Sequence, residues 1–137
     1  MYQELLSAFA NTQNLGGKAW EHAFIIDLLN KNPIQDCSIH CFHYQQMLEC
    51  LFKHILETKT ELSLYSKTHD LNRLLEQVIS TTAFKIDKSK YRGDLIGITV
   101  CAMEYRYNFD INCKTYFEMV SVCDVLLKEL IVFEKSQ

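Results

Sequence analysis

Cys37-Ser38-Ile39-His40-Cys41-Phe42-His43-Tyr44-Gln45-Gln46-Met47-Leu48-Glu49-Cys50-Leu51-Phe52-Lys53-His54-Ile55-Leu56 contains neither glycine nor proline. Cys41, Tyr44, Leu48, Leu51 and Ile55 recur at steps of three and four, the period of one helical face. Phe42, Met47, Phe52 and Leu56 widen that face. A helix apolar over so much of its girth needs partners on several sides, which predicts the central helix of a bundle. The polar groups it carries toward those partners, His40, His43, Gln45, Gln46 and Lys53, are then the unusual ones.

Working outward, residues 1–12 read as a short amphipathic helix with Leu5, Leu6 and Phe9 on one side, broken over Asn11–Gly17. Residues 1–17 thus form an N-terminal extension to a single domain spanning 1–137. Lys18–Leu29 has helical spacing in Trp20, Ala23, Phe24, Ile26 and Leu28. Pro33 stops it, because proline cannot continue a helix and disfavours the helical basin at Asn32. Asp36 or Ser38 can cap the central helix. Beyond its end near Thr58 and a connector over 59–66, Thr68 is a good N-cap for a short helix carrying Leu71, Leu74, Leu75 and Val78. Ser89 can cap a fourth main helix from Lys90 to about Tyr107. The last runs from Cys113 to about Phe133, with the stripe Tyr116, Met119, Cys123, Leu126, Leu130. The expectation is an all-α, up-and-down bundle of four long helices with one or two short ones.

Composition agrees. A 137-residue chain with 48% hydrophobic residues can bury a real core, and one proline with four glycines is few for the turns of an all-β fold. The net charge of −3 gives no general basic face for long nucleic-acid contacts, so no DNA binding is expected. No apolar run is long enough for a membrane span, and the N-terminus lacks the pattern of a signal peptide, so the expected location is the cytoplasm. There the six cysteines would be reduced and would serve as small buried hydrophobes. Cys37, His40, Cys41 and His43 have metal-like spacing, but a structural zinc site gathers ligands from two separated elements and no second Cys/His pair follows, so no metal is expected. No cofactor motif is present.

Three elements in series carry a resemblance: Phe42-His43-Tyr44-Gln45-Gln46 with Glu49 and Lys53; Thr68-His69-Asp70-Leu71; and Tyr105-Arg106-Tyr107. Their order and spacing resemble the HEPN family, a nucleotide-binding domain of higher eukaryotes and prokaryotes, over about Trp20 to Leu130. The resemblance implies a helical homodimer that binds a nucleotide or short RNA. It also implies a possible nucleotidyltransferase partner, as in toxin–antitoxin pairs. Arg106 lies on the inward stripe with Leu95, Thr99 and Ala102. A buried guanidinium demands an anion, either Asp110 or a ligand phosphate. His43, Gln46 and Lys53 share one line of the central helix, serving either as donors to the ligand or as a solvated or dimer-facing edge. His69 and Tyr105 complete the candidate set.

Some members of that family are metal-independent ribonucleases, marked by an arginine followed by a histidine after four to six residues. In this chain the arginines are Arg73, Arg92 and Arg106 and the histidines His22, His40, His43, His54 and His69, so every histidine precedes every arginine. The motif cannot be present, and no catalytic residue is expected. Binding survives this, because holding phosphate needs the arginine alone. The alternatives are a diverged ribonuclease whose base is His43 or His69, and a purely structural interaction module.

Overall fold

A computed structural model of the chain describes residues 1–32, 36–60, 67–104 and 112–136. Among these, six α-helices and no strands appear: α1 (Tyr2–Leu5), α2 (Leu15–Lys31), α3 (Ser38–Lys59), α4 (Leu71–Thr81), α5 (Arg92–Glu104) and α6 (Cys113–Lys135). Two single-turn 3₁₀ helices, Ser7–Phe9 and Lys88–Lys90, join them. The result is the expected all-α bundle.

Fifteen of the 22 residues of α3 are buried, which makes it the axis of the molecule. It packs against α2, α4 and α5 and reaches α6. Contact register gives the directions. Asn30 meets His40 and His22 meets His43, so α2 and α3 run antiparallel. His40 meets Tyr116 and Lys59 meets the carbonyl of Glu134, so α3 and α6 run parallel. The core stripe of α6 buries Tyr116, Cys123, Leu126 and Leu130, with Met119 partly buried. The Met119 sulfur lies where a Cβ at Gly97 would stand, so a larger residue there would require the Met119 side chain to move aside. No helix among the described residues is long and apolar enough to cross a membrane.

Several local expectations shift. The N-terminal stretch splits into α1 and a 3₁₀ turn, with Leu6 and Phe9 in the core. Asp27 of α2 accepts from the Tyr2 and Gln3 backbone amides, which α1 leaves unpaired. α2 begins earlier than Lys18, because Asn14 caps it by accepting from the Gly17 amide. Asp70 rather than Thr68 caps α4. Thr68 Oγ1 instead accepts from the Asp70 amide. Ser89 gives way to Asp87, which caps the turn leading into α5.

The cysteine expectation holds for Cys41, Cys50 and Cys123, which are buried and free. It fails for Cys37 and Cys113, which form a disulfide. These residues stand at the starts of the parallel helices α3 and α6, a placement no linear spacing reveals.

Candidate functional site

The polar face of α3 is built on Glu49, a carboxylate only 7% exposed. Its Oε1 accepts from Gln45 Nε2 at 3.1 Å and from His69 Nδ1 at 2.9 Å. Its Oε2 accepts from Lys53 Nζ at 3.1 Å. Burial pushes the Glu49 carboxyl up, but the bonds from Gln45, His69 and Lys53 outweigh it and hold the group below its usual range. Gln45 Nε2 also donates to the His69 carbonyl oxygen at 3.0 Å, and Gln45 Oε1 accepts from Gln46 Nε2 at 2.8 Å. Helix α3 is thereby pinned to the turn that opens α4.

Above this network lies a pocket of about 480 Å³ between α3, that turn and the second half of α5. Phe42, Ala102 and Met103 supply apolar wall; Gln45, Gln46, His69, Asp70 and Thr99 supply polar groups. The His69 side chain is 75% exposed although its Nδ1 is held by Glu49. With Nδ1–H donated, a neutral ring presents Nε2 as an acceptor. Apolar wall with a few fixed donors and acceptors is the usual make-up of a small-molecule site.

The structure brings Gln46 and His69 together at this pocket. Lys53 lies beneath it, its ammonium ion-paired with Glu49 and its side chain 11% exposed. His43 turns away to α2, where its Nδ1 stands 2.9 Å from Nδ1 of His22. Arg106, Tyr105 and Asp110 lie outside the described residues. Sequence reading passed over Glu49, Phe42, Thr99, Ala102 and Met103 as site residues. The signal for the first was available: Gln45, Glu49 and Lys53 follow at steps of four, a polar ladder on an otherwise buried helix.

The residues with metal-like spacing each point elsewhere. Cys37 is in the disulfide, and the Cys41 thiol faces the Ile98 carbonyl oxygen. His40 sits between the Tyr116 hydroxyl, 2.6 Å from Nδ1, and Asn30 Oδ1, 3.1 Å from Nε2. A neutral ring protonated on Nε2 satisfies both. Burial lowers His40 to about 4. Burial, then the neighbouring His43, lowers His22 to about 4 as well. Since these folded-state values lie below the unfolded one, the stability they confer is complete above pH ~6.5 and is lost as pH falls toward 4. At pH 5, His40 alone is expected to cost about 2 kcal/mol relative to pH 7.5. Asp124 opposes this, because burial raises its carboxyl despite hydrogen bonds from Tyr44 and Tyr2. Melting curves at the two pH values, run on the wild type and on Asp124→Asn, check the sign. An unchanged midpoint in the variant, where the opposing carboxyl is gone, would mean these rings are not held neutral.

Comparison with protein-family models, with curated proteins and with solved structures finds no match for this chain.

Proposed function

We propose that the chain is a HEPN-like binding module for a nucleotide or short RNA, without catalytic activity, acting in the cytoplasm. Reducing conditions there would hold Cys37 and Cys113 as thiols, and the disulfide would form only on oxidation. The observation that carries this reading is the pocket on α3, whose lining includes Phe42, Gln45 and Gln46 from the first resemblance element and His69 and Asp70 from the second. Its size suits one nucleobase with its sugar. Arg106 follows Met103, another lining residue, by three positions in the sequence and is the candidate phosphate ligand. Val122, Val125 and Val132 leave exposed apolar surface along α6, which a second copy would cover in the homodimer the resemblance implies. A nucleotidyltransferase is the partner for a toxin–antitoxin arrangement.

A melting assay with AMP and ATP tests this reading. A ligand at about a hundred times its Kd stabilises the native state by ~2.7 kcal/mol. For a domain of this size that is a rise of roughly 9 °C. The rise should disappear in Arg106→Ala and shrink in Gln46→Ala. No shift with either nucleotide at millimolar concentration would remove the reading and leave an interaction module. Metal-free RNA cleavage that vanishes in Arg106→Ala would replace it with the diverged ribonuclease.

A further inference from the structure

The first turns of α4 and α5 lie side by side, clasped where Asn72 Nδ2 donates to the Arg92 carbonyl oxygen at 3.0 Å. Between them opens a second cleft, of about 410 Å³, lined by Asp70, Arg73, Glu76, Lys88, Arg92 and Ile96 among others. Its acids are already engaged. Asp70 caps α4, and Glu76 pairs with Lys88 at 3.4 Å. Among the described residues, the guanidiniums of Arg73 and Arg92 meet neither a carboxylate nor any other acceptor. Two of the three arginines of a chain with net charge −3 are thus brought to one cleft, where three basic side chains outnumber the two carboxylates of Asp70 and Glu76 and neither guanidinium is directly paired among the described residues. Each guanidinium offers a planar fork of N–H donors that matches phosphate oxygens.

This cleft adjoins the one described above, since Asp70 lines both. Along α5, Ile96 borders the cationic cleft and Met103 the apolar pocket. Seven helical residues separate them by about 10 Å, the reach of roughly three stacked nucleotides at ~3.4 Å each. We infer that the Arg73–Arg92 cleft is a phosphodiester site, and that the ligand is a short single strand with a base in the Gln46–His69 pocket and a backbone phosphate between the two arginines. The inference rests on the nucleotide-binding reading. It narrows the ligand class from a nucleoside monophosphate, whose phosphate stands too near its base to reach the second cleft, to an oligonucleotide. A melting rise with ATP that the double variant below loses, without RNA binding, overturns the oligonucleotide and assigns the cleft to a polyphosphate.

The test is fluorescence anisotropy with an end-labelled single-stranded RNA of about eight nucleotides, run beside the AMP melting assay, on the wild type and on an Arg73→Ala/Arg92→Ala double variant. Both arginines are exposed, and an unchanged melting curve without ligand checks that the variant folds. The double variant should bind the RNA at least tenfold more weakly. The slope of its log affinity against log salt should be shallower by about 0.7, the value for one single-strand phosphate contact. Its stabilisation by AMP should persist. Equal RNA affinity in wild type and variant overturns the cleft assignment while leaving the nucleotide reading standing, as does wild type that binds AMP and no RNA. Wild type that responds to neither ligand removes both.

Discussion

Replacing Glu49 with alanine is expected to lower the unfolding free energy by about 3–5 kcal/mol, the range for removing one partner of a buried ion pair. The Glu49 carboxylate accepts from Gln45, His69 and Lys53, and both it and the Lys53 ammonium are largely shielded from water. Truncation takes the Glu49 carboxylate from the buried Lys53 ammonium and from Gln45, which keeps the His69 carbonyl as acceptor. The exposed His69 ring can turn to water, so the loss comes chiefly from the separated ion pair. Glu49→Gln keeps the shape and one acceptor oxygen and removes the charge, so its loss should be smaller. The folded-state carboxyl is held below its ordinary value, so its contribution is present above pH ~4.5 and disappears as pH falls through the folded value. Urea unfolding of the three proteins at pH 7.5 measures the series. A loss under ~1 kcal/mol in Glu49→Ala would show that the network is not what joins α3 to the start of α4.

The same network shows what can be read from a sequence and what cannot. Helix α3 is legible because its apolar steps leave only one secondary structure that buries them together. The stripes Leu71, Leu74, Leu75, Val78 on α4 and Tyr116, Cys123, Leu126, Leu130 on α6 are legible for the same reason, and all of these residues are buried. Capping residues slip by two positions because Thr68 and Asp70, like Ser89 and Asp87, are competing good caps in one short stretch. Only the final path of the turn selects between them. The line His43, Gln46, Lys53 is divided between neighbours for a geometric reason. At 3.6 residues per turn, His43 and Lys53 sit roughly 80° apart around the helix. That arc is wide enough to straddle two neighbours, and the structure gives His43 to α2 and Gln46 to the pocket beside α4 and α5. Recurrence in sequence locates a face to within about one helix width, while a binding site is decided on a finer scale.

Reducing the Cys37–Cys113 disulfide is expected to lower the melting temperature by roughly 10–15 °C. The bond joins residues 76 apart in sequence. Closing a loop of that length removes enough freedom from the unfolded chain to stabilise the fold by about 4 kcal/mol. For a domain of this size each kcal/mol moves the midpoint by about 3–4 °C. The cross-link ties together the starts of α3 and α6, which run parallel and also meet through His40 and Tyr116 one turn further on. The His40–Tyr116 contact does not pass through the sulfurs, so reduction should leave the helical content intact and act through the unfolded state. Melting curves with and without a phosphine reductant, and of Cys37→Ser and Cys113→Ser, measure the effect. Either variant should melt like the reduced wild type and should no longer respond to the reductant. Alkylation under denaturing, non-reducing conditions should label four thiols in the oxidised wild type, matching Cys41, Cys50, Cys101 and Cys123. Labelling of all six, with midpoints that ignore the reductant, would return Cys37 and Cys113 to the role of small buried hydrophobes that the sequence alone assigns them.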